Sequence, residues 1–148
     1  MSCCHYTVAV EGAVSHRGRY LFIVRSPSDP HRPGILTLPG GTVEIEPESE
    51  SILERSVHRE VREETGVEIE DQVHYVQSKT FTLEDGRLIL DAVFLCRYRA
   101  GEARPDNQET VEVAWLSPEE LAQRPGVSDW LLRSVALAEA KRRSLGWE

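Results

Sequence analysis

The run Arg59-Glu60-Val61-Arg62-Glu63-Glu64-Thr65-Gly66-Val67 puts carboxylates where a packing helix needs apolar side chains. The pattern predicts a helix over about Ile52 to Thr65. Ser51-Ile52-Leu53-Glu54 has the form of a capping box, and Gly66 suits a left-handed stop. With Leu53 as zero and roughly 100° per residue, Val57 falls near ~40° and Val61 near ~80°, which defines the apolar stripe. Glu60 then falls near ~−20°, Glu64 near ~20° and Glu63 near ~−80°, beside Ser56 at ~−60°. Two glutamates sit inside the stripe and a third borders it. An ordinary solvated face explains Arg55, His58 and Arg62, which lie opposite, but not Glu60 and Glu64. One helical turn apart, these like charges meet at roughly 5–6 Å. They also lie in the last turns, where the helix dipole disfavours anions. Burial raises their pKa values unless a cation compensates. Arg59 reaches Glu63 across one turn but cannot neutralise three carboxylates. A hard divalent cation with oxygen ligands, Mg2+ or Mn2+, can.

The rest of the chain reads mainly as strands. Tyr6 to Val14 alternates, and Arg19 to Arg25 has a continuous apolar centre that implies burial on both faces. Ser15 to Gly18 is a polar turn between them. Ser26 to Gly34 holds three prolines and a glycine and is a loop. Ile35 to Leu38 is a short strand running into Pro39-Gly40-Gly41. Val73 to Leu83 and Leu88 to Arg97 read as strands joined at Glu84-Asp85-Gly86-Arg87. Ala100 to Thr110 is loop-like, and Val111 to Leu116 is a last strand. Ser117-Pro118-Glu119-Glu120 is a strong helix start. Asp129 to Arg143 reads as a C-terminal helix with Leu131, Leu132, Val135 and Ala138 on one side. Strands dominate, so the expected fold class is α/β (α+β), a mixed sheet with helices on both faces. At 148 residues the chain is expected to form a single domain over 1–148.

Gly40 and Gly41 let backbone amides and carbonyls approach a ligand closely. Such a turn is commonplace alone; its weight comes from lying just upstream of the acidic helix.

These residues resemble the Nudix hydrolase family, whose box reads Gly-x5-Glu-x7-Arg-Glu-U-x-Glu-Glu-x-Gly-U, with U apolar. Residues 59–67 fit its second half without a mismatch. Leu38-Pro39-Gly40-Gly41 after a short strand, Arg25 ending the earlier strand, and the late Trp115-Leu116-Ser117-Pro118-Glu119-Glu120-Leu121 are similar too. One departure stands out: 17 residues separate Gly41 from Arg59, four more than in the family. The box's first glutamate would fall on Ser51, and Glu44, Glu46, Glu48 and Glu50 all stand nearby as substitutes. The resemblance implies a sheet sandwiched between helices and a metal-dependent pyrophosphohydrolase, cleaving a nucleoside diphosphate linked to another group, X. It implies Glu60, Glu63 and Glu64 as metal ligands, with a backbone carbonyl at Gly41. Arg59, Glu63 and Glu64 would be the catalytic residues, and Arg25 and the Gly40 backbone the substrate contacts. The general base would be Glu63, Glu64 or a loop residue, Glu109 or Glu112. The alternative is a catalytically inactive Nudix-fold module that only binds nucleotides; members of that kind generally lose box glutamates.

Seventeen basic against 25 acidic residues leave a net charge of −8, which offers no basic track for a nucleic-acid polymer. The expected partner is a small nucleotide diphosphate, and a homodimer is left open. No apolar run approaches the ~18 residues of a membrane helix, and no signal peptide is visible, so a cytoplasmic protein is expected. Cys3 and Cys4 would be half a zinc site, but no second pair completes it, and with Cys96 they read as free thiols.

Overall fold

The computed structural model describes residues 5–148, so Cys3 and Cys4 lie outside the described residues. The elements in chain order are β1 (Tyr6–His16), β2 (Arg19–Arg25), β3 (Leu36–Thr37), β4 (Gly40–Thr42), α1 (Ile52–Thr65), β5 (Glu68–Ile69), β6 (His74–Thr82), β7 (Leu88–Ala100), β8 (Thr110–Leu116), α2 (Pro118–Gln123) and α3 (Asp129–Ser144). The strands form one mixed sheet. β1 runs parallel to β7 from Tyr6↔Leu88 to Ser15↔Arg97, and the other pairings are antiparallel.

Alternation along the strands divides the core in two. Ala13, Tyr20, Phe22, Val93 and Leu95 pack on Leu121 of α2 and on Leu131, Val135 and Ala138 of α3. Val10, Val14, Leu21, Ala92, Phe94 and Cys96 pack on Val57 and Val61 of α1. β2 is therefore buried from both sides, as its unbroken apolar centre implied: Tyr20, Leu21, Phe22 and Ile23 are fully buried. Helices cover both faces, as expected. Gly12 lets α1 lie close, since a Cβ there would meet Val61 Cγ2 at 3.0 Å.

Several local readings hold, and those of Ser51 and of the Gly40-Gly41 turn do not. Gly66 ends α1 in the left-handed conformation, its N–H bonded to Arg62 O. Ser117 caps α2 in a full capping box with Glu120. Ser51 does not cap α1. Its backbone is left-handed, with φ 56, and its side chain makes no cap hydrogen bond among the described residues. The capping-box pattern needs an extended cap residue, and the chain entering from the four-residue insertion turns the other way. β5 had no sequence signal because it is only two residues long. Gly40 and Gly41 lie in β4 and not in a free turn.

The sheet splits where the site forms. β1 pairs with β2 only at Ser15↔Tyr20 and His16↔Arg19. Further along, β1 takes β4 at Ala9↔Thr42, Val10↔Gly41 and Glu11↔Gly40, while β2 takes β3. The β3–β4 segment thus crosses the gap and carries its glycines over the end of α1. No helix among the described residues is long and apolar enough to cross a membrane.

Candidate active site

Glu64 is the most constrained member of the acidic helix. Its side chain is 2% exposed. Oε1 accepts the Gly40 N–H at 2.7 Å. Oε2 faces Arg25 Nη1 at 3.5 Å but has no hydrogen-bond partner among the described residues. Burial pushes the carboxyl up to about 8, against the opposing Arg25 charge and Gly40 hydrogen bond; Glu60 and Glu109 push the same way as burial. Glu60 is half-buried, and burial raises its pKa too, with Arg59 opposing and Glu63 and Glu109 adding to the rise.

Gly40 is required by the backbone it lies on, and Gly41 leaves room for the Glu60 carboxylate. A Cβ on Gly41 would stand 2.6 Å from Glu60 Oε2, and one on Gly40 would collide with Val10 O and Glu11 Cα. The two glycines therefore let β4 lie directly on β1 and on the Glu60 carboxylate.

Arg25 is held at the end of β2 by a register shift between Val24 and Arg25 and by its N–H to Ile35 O at 3.0 Å. Its side chain is 15% exposed, so it is not a solvated strand-end arginine. Arg59 lies 3.1 Å from Glu60, 3.3 Å from Glu44 and 3.7 Å from Glu63. Glu44 is thus the partner that the insertion supplies to Arg59. Glu46 pairs instead with Arg55 at 3.2 Å. Glu63 is 57% exposed on the outer flank. Glu109 lines the cleft beside Glu60, whereas Glu112 points to Arg124 at 3.7 Å and is not among the lining residues.

The structure therefore brings together Arg25, Gly40, Gly41, Arg59, Glu60 and Glu64, and leaves Glu63 at the margin. Among the described residues no three His, Cys, Asp or Glu side chains converge closely enough to hold a cation by themselves. Glu60 and Glu64, with the backbone oxygens of the glycine strand, still fit a hard divalent ion. The donors are all oxygen, carry excess negative charge, and include a buried oxygen without a partner.

Arg25, Gly40, Gly41, Arg59 and Glu60 line a cleft of about 590 Å3, with Glu64 buried behind Arg25 and Gly40. Its other wall was not read from the sequence: Arg32, Phe81, Arg87, Asp91 and Glu11 all line it. A lone acid interrupts each of two apolar strand runs, at Glu11 and at Asp91, and this signal was available. Arg32 and Arg87 sit in loop and turn segments without a recognisable pattern.

A family model described as the NUDIX domain matches residues 5–137. The NAD-capped RNA hydrolase NudC of Vibrio vulnificus (strain CMCP6) is 34% identical over 91 residues, covering 62% of this chain and 32% of that protein. The chain thus spans about a third of the length of the NudC relatives it matches. A MutT-like protein of Streptomyces ambofaciens is 35% identical over 121 residues, 80% of this chain and 69% of the relative. In fold, the chain is similar to the crystal structure of a MutT NUDIX hydrolase from Burkholderia pseudomallei, with a TM-score of 0.75 and 22% identity over 90% of this chain and 98% of that one. With an acidic helix end lying under a Gly-Gly strand in a mixed sheet, and a domain match spanning nearly all of its described residues, this chain belongs to the NUDIX family.

Proposed function

We propose that this chain, acting as one domain over residues 1–148, is a divalent-metal-dependent pyrophosphohydrolase. It would cleave the diphosphate of a nucleoside diphosphate linked to X. The observation that carries this reading is Glu64, a buried carboxylate whose Oε2 accepts no hydrogen bond among the described residues and faces only Arg25, at 3.5 Å, beside a second half-buried carboxylate. Arg25 and the Gly40 N–H do not offset the cost of burying this charge next to Glu60, so a further cation is the expected complement. Glu60 and Glu64, with Glu63 and the Gly41 carbonyl, would hold Mg2+ or Mn2+. When bound, such an ion offsets diphosphate charge and lowers the pKa of the attacking water.

The chain's own groups divide the remaining work. Arg25, poised at the cleft next to Glu64, would bind and orient a phosphate oxygen, a placement that a guanidinium performs with two parallel hydrogen bonds. Gly40 and Gly41 expose backbone where no side chain blocks the substrate. Arg59 keeps Glu60 in place and balances its charge through contacts at 3.1 Å and 3.3 Å to Glu60 and Glu44. Glu109 lines the cleft as a candidate base, with Glu63 at its margin, whereas Glu112 faces Arg124. The net charge of −8 supports a small nucleotide over an RNA chain, although the NudC relatives are named for NAD-capped RNA.

The test is hydrolysis of a nucleotide panel across a Mg2+ series, with products identified by mass. Release of a nucleoside monophosphate together with a phosphorylated X, lost in Glu64→Gln and absent without divalent ion, is the expected result. Nucleotide binding without turnover by any panel member would leave a binding module instead.

A further inference from the structure

The cleft holds a second buried acidic pair that the proposed hydrolysis does not use. Glu11 on β1 and Asp91 on β7 are diagonal neighbours, because Ala9 pairs with Asp91 and Glu11 with Val93. By strand alternation both point to the sheet face covered by α2 and α3, the face opposite α1. Lys79 of β6 lies directly across from Asp91. Its Nζ stands 3.2 Å from Glu11 Oε1 and 3.9 Å from Asp91 Oδ2. It also donates to Ser134 Oγ at 3.1 Å and lies 4.8 Å from the centroid of the Trp130 ring.

One ammonium thus serves two carboxyls. The Asp91 side chain is 3% exposed, and its Oδ2 has no hydrogen-bond partner among the described residues. Acids buried for packing alone are normally saturated. Burial pushes Asp91 up, and the hydrogen bond and charge of Glu11 push it further than Lys79 and Arg32 pull it back. Burial raises Glu11 as well, but the Asp91 hydrogen bond and the Lys79 and Arg32 charges outweigh it and hold Glu11 low. Both acids line the cleft. Beside them on the same sheet face, Phe81 pairs with Ile89, two residues from Lys79 and Asp91 respectively, and both line the cleft too. The Arg32 guanidinium lies over the Phe81 ring, 5.0 Å from its centroid, so an aromatic–guanidinium stack borders the two acids.

We propose that Glu11 and Asp91 read the N–H donors on the edge of the substrate's nucleobase, whose ring packs beside the Phe81–Arg32 stack. The ionised Glu11 disfavours phosphate at this position, whereas ring imide and exocyclic amino groups can donate to the oxygens of either acid. Aromatic side chains stack on bases without regard to sequence. This inference rests on the nucleotide-substrate reading above and adds the residues that choose the base.

The experiment is equilibrium binding to the full chain in chelator, where no turnover occurs. The ligands are the 5′-monophosphates of guanosine, adenosine, cytidine and uridine, with two controls. Purine riboside 5′-monophosphate has a ring without an N–H, and ribose 5-phosphate has no base. At least one of the four should bind about tenfold or more tightly than both controls, as expected for one good base-edge contact. Asp91→Asn and Glu11→Gln should each erase most of that preference and leave ribose 5-phosphate binding unchanged. In the wild type, the carboxyl carbon resonances of Glu11 and Asp91 should move with the preferred nucleotide and stay still with purine riboside 5′-monophosphate, a readout that needs no variant. Equal binding of all ligands, no binding by any, or unmoved carboxyl resonances would each overturn the proposal. A base preference in a chain that hydrolyses nothing would sink the hydrolase reading alone.

Discussion

Replacing Glu64 by Gln should make the protein's stability less dependent on pH, and the size of the change follows from burial. The carboxyl moves from an ordinary 4.5 to about 8 in the folded chain. At 1.36 kcal/mol per pH unit, holding it ionised in the fold costs about 5 kcal/mol relative to the unfolded chain. The sign follows from which state binds the proton. Below about 4.5 both states keep it, and the carboxyl adds no pH dependence. Between 4.5 and 8 the unfolded chain releases it while the folded chain retains it, so stability falls as pH rises. Above about 8 the full penalty is present. Gln has no proton to lose, and its amide oxygen can still accept the Gly40 N–H. Urea unfolding of wild type and Glu64→Gln in chelator, from pH 5 to pH 9, should therefore show the variant gaining on wild type by several kcal/mol, ~5 at most. The loss of Arg25's partner shifts the variant by an offset that does not follow this carboxyl's titration, so the slope of the difference is the test. Magnesium or manganese added to wild type at pH 8 should restore about 2.7 kcal/mol at a hundredfold excess over Kd. Parallel curves for the two proteins, or a wild type that gains on the variant with pH, would refute the account of Glu64 as a strained, cation-seeking acid.

Gly41→Ala should displace the Glu60 carboxylate, since the new Cβ would sit 2.6 Å from Oε2; turnover on the best panel substrate should fall at least ~10²-fold, and retained turnover would place the metal elsewhere. Glu63→Gln should cost a similar factor in initial rate, while Glu54→Gln, in the exposed first turn of α1, should be nearly silent; equal effects would mean that helix charge alone is being read. Ser51→Gly should raise stability by about 1 kcal/mol, because φ 56 strains a side chain there. Ser117→Ala, by contrast, should lower it by about 1 kcal/mol by breaking a real capping box. Thermal or urea denaturation measures both, and a loss in Ser51→Gly would restore Ser51 as a cap.

Helix periodicity determined a good deal by itself. It placed Val57, Val61 and Glu64 on one buried side of α1, because side chains four residues apart share a face wherever the helix sits. The same local rule ended α1 at Gly66 and started α2 at Ser117, where the determining groups are neighbours in sequence. The unbroken apolar centre of β2 likewise announced burial from both sides, since a strand exposed on one face would alternate. Ser51 shows where the local rule stops. Its pattern specified a cap, but the path of the chain leaving β4 decided its backbone angle.

Only tertiary structure decided which of four glutamates in the insertion meets Arg59. Glu44, Glu46, Glu48 and Glu50 are equivalent in sequence, and the loop's return to α1 selects Glu44. Only the fold could bring Arg25 to Glu64, because their meeting depends on a register shift at the end of β2 and on the split between β1 and β2. Glu11, Lys79 and Asp91 belong to three strands, and parallel pairing of β1 with β7 makes them neighbours. Periodicity reports which face a residue occupies, and contact across a sheet depends on which strands become partners. That partnership is settled by the whole core at once, so it carries no signature at any one position.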